Sequence, residues 1–169
     1  MPRINRSAKP GQFHHCGSRA VGQRPLFESQ SDYRFMEYLL EKKFMHKECR
    51  ARLHTYCLMP NHTHFFVGPK VEAVSAAMGP VLQQYSRWFN QRRGREGPLY
   101  ASRFFNSVPS FGAAFIKVAN YIDQNPVQAH LAETAAAHPW GSARAYLNGN
   151  LPPWIDSSMV EAHLQRELA

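Results

Sequence analysis

The sequence is poor in cysteine and in acidic residues, and it has no long apolar run. Its three cysteines, Cys16, Cys49 and Cys57, are odd in number and form no Cys-x-x-Cys pair. Neither a disulfide framework nor a cysteine-rich zinc site is expected, and all three read as ordinary reduced thiols. No stretch approaches the roughly 18 apolar residues of a membrane span, so no membrane partner is expected. The first residues, MPRINRSAKPGQ, are basic but lead into no apolar block, which argues against a secretory signal and for a cytoplasmic location. Internal repeats and low-complexity tracts are absent as well.

What is present is basic charge. The chain has 20 Lys and Arg against 12 Asp and Glu, a net charge of +8. The excess is uneven: residues 1–110 hold 17 basic against 7 acidic side chains, and residues 111–169 hold 3 against 5. A basic face confined to part of a small domain suits a polyanion, nucleic acid above all. With 169 residues, 44% of them hydrophobic, the chain is long enough for one domain with a real core.

Residues 1–12 read as a flexible basic arm, 13–150 as the folded domain and 151–169 as a C-terminal tail. A strand is expected over 13–21. A helix follows, capped by Ser29 or Ser31, with Phe35, Met36, Leu39, Leu40 and Phe44 at helical spacing. CRARLHTYCLMP alternates: Ala51, Leu53, Thr55 and Cys57 face one way, Arg50, Arg52, His54 and Tyr56 the other. Pro60-Asn61 bends the chain into a second strand, HTHFFVGP. A long helix over 71–91 is kinked or split at Gly79-Pro80. RRGREGP is a basic loop, LYASRFFNSVP a further strand, and SFGAAFIKVANYIDQN a helix stopped before Pro126. This order predicts an α+β domain with helices on one face of a mainly antiparallel sheet.

His62 and His64 stand two apart on the second hairpin strand, so both imidazoles project from one face while Thr63 points away. Such a pair can share a divalent metal ion, with a third ligand from elsewhere and positions left open for water or substrate. Tyr85, in LQQYSRWFNQRRG, is a candidate nucleophile with Arg87, Arg92 and Arg93 nearby in sequence. Its hydroxyl is weak at its usual pKa of about 10, and neighbouring positive charge would favour the phenolate. The competing reading for Tyr85 is a packed helix face, with Phe89 at i+4.

The segments LMPNHTHFFV, QQYSRWFN, GPLYASRF and YIDQNPVQA, in that order, resemble the REP-associated tyrosine transposases, single-tyrosine members of the HUH endonuclease superfamily. PWGSARAYL is similar to the family's end motif. The resemblance covers about Phe13 to Leu147. It implies a ferredoxin-like HUH domain, an antiparallel sheet with helices packed on it. It also implies that His62 and His64 bind Mg²⁺ or Mn²⁺ and that Tyr85 attacks the scissile phosphate of single-stranded or hairpin DNA. A 5′-phosphotyrosine link and a free 3′-OH would result, without ATP. Some relatives place a glutamine four residues after the tyrosine. Here that position is Phe89, which cannot ligate, so Asn90 is taken as the third ligand, with Gln84 as a further candidate. Monomers are the tendency of the REP-associated branch and are favoured here, with a dimer as the alternative.

Phosphate contacts are expected from Arg50, Arg52, Arg87, Arg92, Arg93, Arg95 and Arg103. Arg3, Arg6 and Lys9 of the arm could fold onto a DNA groove. Phe104, Phe105, Trp88 and Tyr100 are candidate stacking surfaces for unpaired bases, or core. Asn125-Pro126 is read as a helix end, and Trp140 and Tyr146 as packing. Two other functions compete: a domesticated protein that holds DNA hairpins without cutting, and a metal hydrolase using water. The hydrolase lacks a carboxylate near the histidine pair to serve as base.

Overall fold

The structure is a computed structural model that describes residues 12–22, 24–68, 74–109 and 113–158. The basic arm with Arg3, Arg6 and Lys9, and the end of the tail, lie outside the described residues. In chain order the elements are β1 (His14–Arg19), α1 (Gln30–Phe44), β2 (Arg52–Met59), β3 (His62–Gly68), α2 (Val74–Arg92), β4 (Phe105–Ser107), α3 (Ala113–Gln128), a 3₁₀ turn (Ala135–Ala137) and α4 (Ala143–Asn148). The strands form one antiparallel sheet in the order β2-β3-β1-β4. The expected α+β class and antiparallel sheet are therefore found.

Helices cover both faces, not one. Phe65 and Val67 of β3 join the larger core with Met36, Leu39 and Leu40 of α1 and Met78, Leu82, Tyr85 and Phe89 of α2. Phe66, between them, points the opposite way and packs with Phe115 and Ile122 of α3. Alternating side chains on a strand must serve two layers when both are apolar. This explains why all of β3 after His62 is buried.

Local details differ from the sequence reading. The strict alternation of β2 fails because a bulge between Leu53 and Thr55 shifts its register against β3. One extra residue inverts the parity beyond it, so Leu53 and Tyr56 share the larger core and Cys57 and Met59 the smaller. Pro80 lies within a single continuous α2, and Pro126 within the last turn of α3. Each proline forgoes one bond to the residue four back, and after Pro126 the chain turns as Leu131 N–H donates to Pro126 O at 2.8 Å. Residues past 150 also pack: Trp154 and Ile155 are buried, and Asp156 N–H donates to Leu53 O at 2.8 Å.

Helix α1 starts at Ser29, whose backbone N–H donates to the Asp32 carboxylate at 2.8 Å. The three cysteines are buried and form no disulfide, and burial beside Asp123 pushes the Cys57 thiol up to about 12. Among the described residues no helix is long and apolar enough to cross a membrane.

Gly17 of β1 has no room for a side chain. A Cβ there would lie 1.9 Å from Thr63 O of β3 and 2.9 Å from the Phe105 ring. Gly17→Ala is expected to destabilise the fold by about 1–3 kcal/mol, as overpacking does. Chemical denaturation measures it, and an unchanged midpoint would contradict this close approach.

Candidate active site

His62 and His64 leave the same face of β3, as their spacing requires. Their ring centroids are 5.0 Å apart with the planes nearly perpendicular, at 87°. Thr63 points into the other layer, where its hydroxyl accepts from Ser18 N–H at 3.2 Å. The face that bears the histidines is the one covered by α3.

Each histidine is held through its Nδ1. His62 Nδ1 pairs with Asn61 Oδ1 at 2.7 Å, so the Pro-Asn bend orients the ring that follows it. His64 Nδ1 pairs with His15 Nε2 of β1 at 2.9 Å. Asn125 of α3 lies beside both imidazoles. Asn125 Nδ2 donates to Tyr121 O one turn back, at 2.7 Å, so its Oδ1 is the atom left to act as a metal donor beside the imidazoles. Burial keeps all three histidines neutral at physiological pH. It pushes His64 down to about 3, helped by His15 and His62, and His15 down to about 4. His62 is lowered by burial and by the nearby Arg19 guanidinium. Neutral imidazole is the form that ligates metal.

Tyr121 completes the cluster. Its ring meets those of His64 and His15 edge-on, each with centroids 5.7 Å apart, and it is 46% exposed. Tyr121 and Asn125 are four residues apart and so share one face of α3. A partly exposed phenol, two neutral imidazoles and an amide oxygen therefore converge on the α3 face of the two inner strands. Two imidazoles and one amide oxygen fit a divalent ion that accepts mixed N and O ligands, such as Mn²⁺ or Mg²⁺. Among the described residues no cluster of three His, Cys, Asp or Glu suits a metal, so this donor set depends on the amide.

The structure does not bring Tyr85 to this cluster. Tyr85 lies on α2, across the sheet from the histidines, and is fully buried in the larger core. Its hydroxyl donates to Leu26 O at 2.6 Å, and burial with the Asp32 charge raises its pKa far above the usual value. In this structure the phenol is enclosed in the core and held as a hydrogen-bond donor, on the face of the sheet opposite the histidines. Asn90 is on the same helix and donates its amide to Gly97 O at 2.9 Å, so it too is remote from the histidines. Gln84, also on α2, is excluded by the same placement.

The arginines divide. Arg93 is an internal residue: its guanidinium binds Asp32 at 2.6 Å and Glu28 at 2.7 Å and lies 3.9 Å over the Phe89 ring. Arg95 reaches Glu28 at 3.8 Å, and Arg52 reaches Asp156 at 3.5 Å. Arg50 precedes β2 and is exposed. Arg87 and Arg92 are on α2, the latter over Trp88 at 5.6 Å, and both lie across the sheet from the histidines. Arg103 is exposed just before β4. Arg19, opposite His62 in the β1–β3 register and exposed, is an addition to the expected set.

Of the expected stacking aromatics, Phe104 is buried and Trp88 stacks on Phe35 at 4.2 Å. Tyr100 has a buried hydroxyl. Phe105 alone of the four is largely exposed, at 43%, and its ring touches His15 and His64. Trp140 stacks on Tyr33, and Tyr146 donates to His54 O at 2.5 Å, so both pack as expected.

One sequence signal would have found Tyr121 and Asn125. The four-residue interval from tyrosine to an amide, which fails at Tyr85 and Phe89, is met within YIDQN.

A family model described as IS200-like transposase matches residues 16–125. Among solved structures, the fold is similar to that of a REP-associated tyrosine transposase bound to a REP hairpin. The TM-score is 0.68 over 92% of this chain and 92% of that chain, at 14% sequence identity. No curated protein matches the sequence.

Proposed function

Because the chain belongs to the IS200-like transposase family, we propose that it cleaves and rejoins single-stranded DNA beside hairpins of the REP type, with Tyr121 as nucleophile. The observation that carries this reading is the convergence of Tyr121, His62, His64 and Asn125 on the α3 face of the sheet, opposite the face that holds Tyr85 and Asn90. The hairpin enters by analogy with the DNA bound to the structural neighbour.

His62, His64 and Asn125 would hold Mg²⁺ or Mn²⁺. When bound, that ion polarises a phosphate and stabilises charge developing on its oxygens. The chain's own residues do the rest. Asn125 couples the two parts of the site: its Nδ2 ties it to the Tyr121 turn and its Oδ1 is the donor left beside the histidines. Tyr121 attacks the scissile phosphorus through its phenolic oxygen, and the bond to the 3′ oxygen breaks. The phenolic proton passes through solvent to that leaving oxygen, which becomes a 3′-OH. The new phosphotyrosine ester conserves the phosphodiester, so a second 3′-OH can displace Tyr121 and restore it. Arg19, opposite His62, supplies positive charge beside the histidines, and Arg103 is a further exposed cation just before β4. The reaction is assigned to a monomer in the cytoplasm.

The test is an adduct assay. Labelled single-stranded hairpin DNA from around the gene is incubated with the protein and Mn²⁺, then run on a denaturing gel. A labelled species at protein size that disappears with EDTA is expected. Tight, salt-sensitive binding without adduct would instead favour the domesticated hairpin-binding protein.

Removing Arg19 or Arg103 is expected to lower the slope of log K against log salt by about 1 for each phosphate left without its arginine. Arg95→Ala, whose partner is Glu28, is expected to leave the slope unchanged. Fluorescence anisotropy over a salt series distinguishes them, and an unchanged slope in both Arg19→Ala and Arg103→Ala would remove them from the interface.

A further inference from the structure

We propose that His15 is a positioning residue that accepts a hydrogen bond from His64 Nδ1–H and so keeps His64 Nε2 bare and aimed at the metal position. The proposal rests on the metal reading of the histidine pair.

His62 Nδ1 faces Asn61 Oδ1 at 2.7 Å, and a carbonyl oxygen can only accept. His62 therefore carries its proton on Nδ1 and presents a bare Nε2. For both imidazoles to share one ion, His64 must do the same. Its Nδ1 faces His15 Nε2 at 2.9 Å. That contact allows two directions. If His15 donated, His64 would bear its proton on Nε2 and that nitrogen could not ligate. If His15 accepts, the two histidines become equivalent, each Nδ1–H tied to an acceptor and each Nε2 free. Metal-binding histidines commonly donate their second ring N–H to an acceptor that sets tautomer and orientation.

The geometry around His15 is built for this contact. His15 is paired with Phe66 in the β1–β3 register and reaches His64 diagonally. The diagonal is open because the residue opposite His64 is Gly17, which has no side chain. Two rings then hold the His15 ring in place, Phe105 at 5.0 Å and 85°, and Tyr121 at 5.7 Å and 70°. His15 thus links β1, the histidine strand and the helix that carries Tyr121. Its distinct contribution is to fix one nitrogen of one ring.

The experiment uses the full chain and two readouts. Multiple-bond ¹⁵N–¹H correlation on the metal-free protein reports which nitrogen of His64 is protonated. Calorimetry with Mn²⁺ alone reports affinity. In the wild type, His64 is expected to be the Nδ1–H tautomer. In His15→Val, that nitrogen loses its acceptor, His64 gains Nε2–H tautomer, and Mn²⁺ affinity falls by about 10–100-fold. His15→Gln, whose Oε1 can accept, is expected to recover most of both. A wild-type His64 protonated on Nε2, or unchanged Mn²⁺ affinity in a folded His15→Val, would overturn the proposal. So would His15 resonances that move as those of a direct ligand when Mg²⁺ is added. A wild type with the expected tautomer, lost in His15→Val, but with no Mn²⁺ binding would sink the metal reading while leaving the His15–His64 hydrogen bond established.

Discussion

Tyr121→Phe is expected to abolish the covalent protein–DNA adduct, and Tyr85→Phe to leave it in place. The two substitutions remove the same oxygen from two helices on opposite faces of the sheet. At position 121 the phenol is 46% exposed beside His64, and without its oxygen no ester to phosphorus can form. DNA binding should survive, since the arginines are untouched. At position 85 the lost hydroxyl is a buried donor to Leu26 O. Leaving that carbonyl without a partner costs about 1–3 kcal/mol, so Tyr85→Phe should unfold at lower denaturant while a folded sample still forms adduct. The adduct gel and a urea titration on both variants decide the matter. Adduct from Tyr121→Phe and none from folded Tyr85→Phe would return the nucleophile to α2 and overturn the assignment of Tyr121.

The largest loss of stability is expected at Arg93. Asp32 is fully buried at the start of α1, and its Oδ2 accepts from Glu28 N–H at 2.7 Å, Ser29 N–H at 2.8 Å and Arg93 at 2.6 Å. The carboxylate thus caps the helix while Arg93 neutralises it from the end of α2. Removing one partner of a buried pair leaves the other charge unpaired, at a cost of about 3–5 kcal/mol. Arg93→Ala is therefore expected to lower the unfolding midpoint sharply. Arg93→Lys should recover only part, because an ammonium cannot bridge Asp32 and Glu28 as a planar fork does or lie flat over Phe89. Arg103→Ala should leave stability unchanged while weakening DNA binding. Equal stability of Arg93→Ala and wild type would mean that Arg93 is free for phosphate after all.

Much of the site was legible in the residues. The two-residue period of a strand is enough to place His62 and His64 on one face and Thr63 on the other. The Pro-Asn bend marks where that strand starts. Three-to-four residue spacing in α1, α2 and α3 identifies each helix, and the uneven basic charge points to a polyanion. Even the Tyr121–Asn125 interval was visible as one helical turn, and the same interval test had already failed for Tyr85 with Phe89.

Tertiary structure decided which helix meets which face. Periodicity shows that a helix has an apolar side, yet α2 and α3 are both amphipathic and both carry a tyrosine. Only the path of the chain puts α2 with α1 over Phe65 and Val67 and sends α3 beneath Phe66 and the histidines. Charge has the same ambiguity. Arg93 and Arg103 are alike in sequence, and it is packing across 61 positions that gives one a buried carboxylate and leaves the other exposed. His15 is the extreme case, since its reach to His64 needs the β1–β3 register and a residue without a side chain at Gly17. Local physics sets the direction a side chain leaves its own backbone, whereas its partner depends on which distant segment is folded against it.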